Sequence, residues 1–260
     1  MNNSYIKKKL KNLASIPSVL LRPTNFCIWH SGRCGSTILS SMLKQHPNIY
    51  CAEELLENYS REYVKSKNNL EGWSRGKFLI RLNMLKGGKK VSGFEMKMAH
   101  LNRLEVNVSE AVNFLNKIGY KKYIVLERQN YLRVFVSREV AKQTSLYHID
   151  SRKSSTLNQI YIDPEEMNFL FCEYSNFYNE IKTLLGKNCL WLLYEKDILQ
   201  SPQIAYQKVT DFLKLKPVKA KISLKRTNPY PLEEIILNFD EISDLLKNTD
   251  FEWMLKENIK

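Results

Sequence analysis

FCIWHSGRCGST, residues 26–37, predicts more of the architecture than any other segment of the sequence. Its first four residues are apolar and predict a short buried strand. Gly32 and Gly35 follow, where the backbone must turn sharply or approach a ligand closely. Ser36 then opens a helix whose apolar side chains share one face until Pro47 ends it. A strand, a small-residue loop and a helix N-terminus present backbone N–H groups to an anion, so this stretch predicts a phosphate-binding loop.

The loop differs from the Walker A motif in the position of its cation. Walker A loops carry a Lys directly before the Ser or Thr that opens the helix, whereas Gly35 is followed directly by Ser36. The cation here is Arg33, which precedes the second glycine and offers a planar fork of donors to an anion. The alternative interpretation is a Gly- and Ser-rich turn that joins a strand to a helix without binding a ligand.

Apolar segments that read as buried strands alternate with amphipathic helical segments along the chain. The predicted strands are residues 26–29, 91–98, 123–126 and 189–194. The predicted helices include residues 53–65, residues 109–118 with Ser109 as the cap, residues 130–142, and a helix that starts at Asp163. This alternation predicts an α/β fold, a three-layer αβα arrangement with a mostly parallel central sheet and a P-loop-like phosphate-binding loop. Such sheets bind ligands at the carboxyl ends of their strands, where the loop falls.

The length of the chain limits the number of domains, and its net charge indicates the kind of partner. The 260 residues fit one large α/β domain, which we place at residues 24–260 after a basic N-terminal segment, residues 1–23. The net charge of +13 and the pI near 9.4 favour an anionic partner: a nucleotide, a sulfated or phosphorylated glycan, nucleic acid or an anionic membrane surface. The basic N-terminal segment suits peripheral contact with such a membrane. The alternative is a solvated, lysine-rich surface.

The number and spacing of the cysteines and histidines indicate the redox compartment of the protein and whether it binds a metal. The five cysteines, an odd number without a C-x-x-C pair, argue against a disulfide framework or a zinc site and fit a reducing compartment. The four histidines lack metal-ligand spacing, so we expect no metal. No apolar run is long enough to cross a membrane, and the N-terminus lacks the apolar core of a signal peptide. We therefore expect a cytoplasmic protein.

Four segments, in this order and spacing, carry a resemblance to a known family. They are HSGRCGST (30–37), LERQNYLRVFVS (126–137), LLYEKDIL (192–199) with DFL (211–213), and KRTNP (225–229) leading to FEW (251–253). The chain resembles the sulfotransferases that use 3′-phosphoadenosine 5′-phosphosulfate (PAPS), most closely the bacterial carbohydrate type, such as the nodulation-factor and trehalose sulfotransferases. The resemblance covers residues 24–255. It implies transfer of a sulfuryl group from PAPS, the cosubstrate, to a hydroxyl of a carbohydrate acceptor: a glycolipid, an oligosaccharide or a polysaccharide.

The resemblance also implies which residues bind the nucleotide. Arg33 stands where the family carries a catalytic Lys or Arg. The remaining loop residues implied to contact the 5′-phosphosulfate are Ser31, Gly32, Cys34, Gly35, Ser36 and Thr37. Arg128 and Ser137 are the implied ligands of the 3′-phosphate, and their separation is the longer one of the carbohydrate subgroup. The family's C-terminal R-K-G loop is absent, and Lys225 and Arg226 are the residues that would substitute for it.

The acceptor side of the site is implied by a different segment. HPNIYCAEE, residues 46–54, resembles the family stretch in which a Glu follows the short second strand. When this stretch is aligned with the family pattern, Glu54 matches the general base better, and Glu53 is the alternative base. The alternative is that both are exposed acids in a helix's first turn, where the helix dipole favours them. Lys97 and His100 follow another predicted strand and are expected to face the acceptor, with ordinary solvated or packed side chains as the alternative.

Two other functional classes fit part of the sequence. A P-loop kinase or NTPase would share the loop, but the missing Lys and the lack of an apolar strand ending in a magnesium-binding Asp count against it. A non-catalytic module that binds nucleic acid or glycans would explain the charge. No signature of a nucleic-acid-binding fold occurs, so we expect no nucleic-acid partner. The sequence leaves the acceptor sugar and the oligomeric state open.

Overall fold

The computed structural model describes residues 22–66, 71–144, 149–150, 157–186, 189–216, 218–222, 224–225 and 229–256. Its strands are β1 (Asn25–His30), β2 (Ile49–Cys51), β3 (Val91–Lys97), β4 (Tyr120–Glu127), β5 (Ile149–Asp150), β6 (Cys189–Leu193) and β7 (Leu224–Lys225). Its α-helices are α1 (Ser36–Lys44), α2 (Glu57–Lys65), α3 (Gly72–Lys86), α4 (Met98–Leu104), α5 (Val108–Lys117), α6 (Tyr131–Thr144), α7 (Pro164–Leu185), α8 (Pro202–Phe212), α9 (Leu232–Ile235) and α10 (Phe239–Leu246). A π-helical turn, Tyr194–Ile198, follows β6, and a 3₁₀ turn spans Glu252–Leu255.

Five parallel strands form the central sheet in the order β2-β3-β1-β4-β6. All six residues of β1 are buried, as expected for a strand that has a neighbour on each side and helices over both faces. Because the strands are parallel, their carboxyl ends meet at one edge of the sheet, the carboxyl edge, and their starts meet at the opposite, amino edge. The predicted α/β fold with a parallel central sheet between helices is confirmed.

Successive side chains of each strand point to opposite faces of the sheet, so different helices pack on the two faces. Phe26 and Ile28 of β1 belong to the apolar core under α1 and α8, on one face of the sheet. On the other face, the Tyr123 hydroxyl of β4 donates to the Asn116 side chain of α5 at 2.6 Å. Gly93 of β3 lies beside Phe26, where a Cβ would overlap the aromatic ring. A glycine is therefore required inside this strand by the ring that packs across it.

Two predicted helix boundaries are wrong. The helix expected from residue 53 begins at Glu57, because Glu53 has a left-handed φ of 52° and its carbonyl accepts a hydrogen bond from a backbone N–H of β3 at 2.7 Å. The cap of α5 is Asn107 rather than Ser109, since the Asn107 side chain accepts from the backbone N–H three residues later at 2.7 Å. Both errors come from choosing between neighbouring polar residues on type alone.

The chain forms two compact units. The first comprises residues 1–127 and 180–221, whose described part holds the central sheet, and the second comprises residues 128–179 and 222–260. In the second unit, β5 pairs with β7 in antiparallel fashion, and Tyr131 packs edge-on against Phe171 and Tyr174. The single domain over residues 24–260 stays a prediction, and residues 1–21 lie outside the described part. No helix in the described ranges is long and apolar enough to cross a membrane.

Candidate active site

The loop between β1 and α1 lies at the carboxyl edge of the sheet. Three of its residues have left-handed backbone conformations, with φ of 105° at Gly32, 54° at Arg33 and 84° at Gly35. Gly35 is also required sterically, because a Cβ there would lie 2.8 Å from Ile198 Cγ2 and 3.2 Å from the Tyr194 ring. The π-helical turn after β6 therefore packs directly against the second glycine of the loop and helps to fix its shape.

The N-terminus of α1 opens from this loop. Its N-cap is Gly35, which has no side chain to accept hydrogen bonds from the first-turn N–H groups, and the first turn holds no acidic residue. Those N–H groups and the positive end of the helix dipole are therefore oriented for an anion. The Ser36 hydroxyl hydrogen-bonds the Glu95 carboxylate, whereas Thr37 is partly exposed. The backbone of the loop suits the phosphate group that the sequence predicts.

A buried ion pair lies directly beneath the loop. His30 ends β1, and its Nε2 lies 3.0 Å from Glu95 Oε2 of β3, with both side chains at most 1% exposed. The Ser40 hydroxyl of α1 also donates to Glu95. Burial would raise the pKa of Glu95, but His30 and the serine hydroxyls outweigh it and hold that pKa below its usual value. Burial would lower the pKa of His30, but Cys34 and Glu95 outweigh it and raise the pKa to about 10, so the pair is ionised at neutral pH.

Lys97, the last residue of β3, lies between the loop and Glu54. Its Nζ is 3.0 Å from Glu54 Oε2, and its Cε is 3.8 Å from the point that a Cβ on Gly32 would occupy. The Glu54 side chain is 30% exposed, so solvent and substrate can reach it. The structure therefore brings together the Glu predicted as a base, the Lys predicted to face the acceptor, and the phosphate loop.

Glu57, in the first turn of α2, anchors this group. Its Oε2 accepts from Lys97 Nζ at 3.4 Å, His100 Nε2 at 3.0 Å and Arg103 Nη1 at 3.2 Å. Its Oε1 accepts from Arg61 Nε at 2.5 Å. Burial would raise the pKa of Glu57, but the hydrogen bond from His100 and the neighbouring cations hold it far below its usual range. Glu57 is therefore a permanent anion that fixes the Lys97 side chain.

His100 is fully buried beside Glu57. Its Nδ1 lies 3.2 Å from the Lys97 backbone nitrogen and accepts from that N–H, so Nε2 carries the proton that is donated to Glu57. Burial and the Lys97 charge lower the pKa of His100 despite its bond to Glu57, which keeps the ring neutral. In this structure His100 orients Glu57 and the end of β3, and its contact with an acceptor stays a prediction.

Glu53 has a different partner from its neighbour Glu54. Its Oε2 lies 2.5 Å from Lys44 Nζ at the end of α1, and both side chains are exposed. The backbone of Glu53 is left-handed, with a φ of 52°. Of the two predicted bases, Glu54 is the one beside Lys97.

The same cluster has the composition of a metal site. Ligand atoms of Glu54, Glu57 and His100 lie within 4.8 Å of one another. Lys97 Nζ lies next to both carboxylates and supplies a positive charge at that point. The expectation that no metal takes part stays a prediction.

The residues predicted to bind the 3′-phosphate belong to the second unit. Arg128 follows the last residue of β4, Ser137 lies in α6, and both are 9% exposed. Lys225 lies in β7, and Arg226 is outside the described residues. Their roles toward the nucleotide stay predictions.

Sequence reasoning missed Glu57, Glu95 and Arg103. A signal was present for Glu95, because a carboxylate inside the apolar strand VSGFEMK is rarely buried unless it is paired. Glu57 and Arg103 gave no such signal, since charged residues on exposed helix faces are common. Their importance appears only once α2 and α4 are packed together.

Comparison with known proteins shows a likeness of fold to solved structures. No family model and no curated protein matches the chain. Among solved structures, the sulfotransferase from Alicyclobacillus acidocaldarius matches with a TM-score of 0.52 and 15% sequence identity, covering 85% of this chain and 90% of that one. The thymidylate kinase from Ehrlichia chaffeensis matches with a TM-score of 0.26 and 18% identity, covering 62% of this chain and 100% of that one. At this identity the first match shows that the chain shares its fold with a solved sulfotransferase.

Proposed function

We propose that this chain is a cytoplasmic sulfotransferase that moves a sulfuryl group from PAPS to a hydroxyl of a carbohydrate acceptor. The observation that carries the proposal is the meeting of Lys97 and Glu54 with the phosphate loop at Gly32. A base and a cation beside an anion-binding loop are the groups that sulfuryl transfer needs, because the reaction is a close analogue of phosphoryl transfer. The shared fold and the motif order support the same assignment.

The loop is assigned to the leaving group. PAPS supplies the activated sulfuryl group, and the bond between its sulfur and the bridging phosphate oxygen breaks while a bond to the acceptor oxygen forms. Negative charge then grows on the 5′-phosphate. Arg33 and the backbone N–H groups at the start of α1 stabilise that charge, as donors of an oxyanion hole do. The backbone of Ser31 and of the buried Cys34, and the partly exposed Thr37 side chain, are assigned to the same phosphate.

Glu54 is assigned to the acceptor. Its carboxylate takes the proton from the attacking hydroxyl, and Lys97 holds it in position from one side. Because Glu57 and His100 fix Lys97, the ammonium group lies close enough to the loop to stabilise the transferring sulfuryl oxygens as well. Arg128 and Ser137, with Lys225 and Arg226, are assigned to the 3′-phosphate.

The test is transfer of labelled sulfate from PAPS to a panel of neutral oligosaccharides and glycolipids. Removing a general base lowers turnover by about a hundredfold or more, so we expect this loss for Glu54→Gln. The matched control is Glu53→Gln, which changes the neighbouring carboxylate that pairs with Lys44 and should keep turnover near wild type. Equal, mild effects of the two substitutions would refute a base at Glu54, and labelled product absent from every acceptor would refute the carbohydrate assignment.

A further inference from the structure

A cluster of lysines surrounds the amino edge of the central sheet, opposite the candidate active site. Its members lie at the ends of helices that return to this edge, at the starts of strands, and in the segment after α8. Its members, here called the lysine face, are Lys86, Lys89, Lys90, Lys117, Lys121, Lys122, Lys214, Lys216, Lys219 and Lys221. All are exposed except Lys122, which is partly buried, and none forms an ion pair with any residue in the described ranges.

Contacts within the first unit hold the segment after α8 against this edge. His46, just before β2, has its Nε2 3.0 Å from the Lys216 carbonyl oxygen. Gln45 bonds the Lys221 backbone twice, accepting from its N–H at 2.8 Å and donating to its carbonyl at 2.9 Å. Lys122 of β4 lies 4.3 Å from the centre of the Phe212 ring. The lysines of the segment are therefore part of one surface with those of the strands.

Two features of the lysine face favour lipid headgroups over nucleic acid. Val218 is 42% exposed and stands beside Lys219, so an exposed apolar side chain and a cation are neighbours, as on surfaces that enter a membrane interface. Its cations are lysines, which are hydrated point charges suited to a diffuse anionic surface. Arg22, an arginine at this edge, is turned inward and donates to the Gly88 and Met84 carbonyls.

We propose that the lysine face docks this protein on anionic phospholipid bilayers. The strands of the sheet are about 20 Å long, so a bilayer at the amino edge leaves the phosphate loop facing water on the opposite side. Nucleotide binding should then be unaffected by vesicles.

The test is sedimentation of the full-length chain with vesicles of phosphatidylcholine alone or mixed with phosphatidylglycerol. The variant K89E/K90E/K121E reverses three charges of the lysine face. The control variant, K65E/R75E/K196E, reverses three exposed cations of the first unit that lie outside the lysine face. Each basic residue near an anionic surface contributes severalfold to binding, so the face variant should bind mixed vesicles about a hundredfold more weakly than the control. Thermal melting confirms that both variants are folded.

Three results would overturn the proposal. Equal sedimentation of wild type with both kinds of vesicle, or with neither, would show that it does not recognise an anionic bilayer. Equal loss in the two triple variants would show a general effect of net charge rather than a surface. Loss of duplex DNA binding in the face variant, with no vesicle binding in wild type, would assign the face to nucleic acid instead. A Val218→Ser variant that binds more weakly at high salt would support insertion of this side chain.

Discussion

Glu57 is surrounded by three cationic side chains and one buried histidine. Lys97, His100 and Arg103 bond one of its oxygens, and Arg61 bonds the other. A carboxylate in this position offsets the repulsion between the cations and limits the rotamers that Lys97 can adopt. Glu57 does not line the phosphate loop itself, so its expected role is to position Lys97 and Glu54.

Substituting Glu57 by Gln should lower turnover by up to about a hundredfold, because small displacements of reacting groups have effects of this size. Binding of adenosine 3′,5′-bisphosphate should change little, since the loop at the start of α1 is intact. The measurement is kcat and KM for PAPS together with bisphosphate affinity, and the matched control is Glu62→Gln on the same helix. Parallel losses of turnover and nucleotide affinity would contradict a positioning role.

The buried pair His30–Glu95 predicts how stability depends on pH. The pKa of His30 is raised from 6.5 to about 10, so its contribution is complete below pH 6.5 and is lost as the pH rises toward 10. The pKa of Glu95 is lowered, so its contribution is present above its unfolded value near 4.5 and is lost only in stronger acid. The melting temperature should therefore fall steadily from pH 6.5 to pH 10.

His30→Gln removes the cation and leaves the Glu95 carboxylate buried without it, which should lower the free energy of unfolding by about 3–5 kcal/mol. It should also flatten the decline of stability above pH 6.5. Urea unfolding at several pH values measures both effects. A variant whose pH dependence matches that of wild type would show that His30 is not the titrating group.

Among the elements, the loop between β1 and α1 depends most on individual residues. Gly35 combines a left-handed φ of 84° with contact from the π-helical turn after β6. Gly119, before β4, has a similar φ of 92° but open space where a Cβ would lie. Substitution of Gly119 therefore tests backbone strain alone, whereas substitution of Gly35 tests backbone strain together with steric overlap.

Gly119→Ala should cost about 1–2 kcal/mol of stability, the usual penalty for a left-handed non-glycine residue. Gly35→Ala should cost more, because its Cβ would also displace Ile198 and Tyr194, and it should weaken binding of the 5′-phosphate. Urea unfolding and bisphosphate titration of the two variants measure the difference. Equal losses of stability with unchanged nucleotide affinity in both would contradict the packing of the π-helical turn against the loop.

Most of the architecture could be predicted from local sequence patterns. The predictions failed where contacts between residues distant in sequence determine the backbone conformation. The apolar run before Ser31 and the glycines after it predicted β1 and the loop correctly, because buried strands and left-handed turns leave strong compositional signals. Asp163 caps α7 as expected, accepting from the Glu165 N–H at 2.8 Å. The helix expected from residue 53 failed because a hydrogen bond from β3 holds Glu53 in a left-handed conformation.

The candidate site was predictable only in part. The resemblance pointed to Arg33 and Glu54, and the position after a predicted strand pointed to Lys97. Of these three residues, Glu54 and Lys97 are in contact. The carboxylate that holds Lys97, Glu57, lies 40 residues away in sequence and has no local signature. Pairings of this kind depend on how α2 packs on α4. They cannot be read from residue types or from periodicity.

At the scale of the whole molecule, the proposed function requires the loop and its surroundings to bind PAPS. The bisphosphate product carries both phosphates of the nucleotide without the reactive sulfuryl group, so it reports binding separately from transfer. This separation matters because a failure to find the acceptor would leave the nucleotide site unaffected. The competing kinase assignment makes a different prediction, namely that the loop binds ATP with magnesium.

The most direct measurement is thermal stabilisation by adenosine 3′,5′-bisphosphate compared with ATP and Mg²⁺ at matched concentrations. At about 100 times its dissociation constant a ligand adds about 2.7 kcal/mol to the folded state, a shift of about 5–10 °C for a chain of this size. We predict this shift with the bisphosphate and none with ATP and Mg²⁺, its loss in Arg33→Ala, and its retention in Arg75→Ala. A shift with ATP and Mg²⁺ alone would favour a kinase, and no shift with either nucleotide would contradict a nucleotide-binding loop.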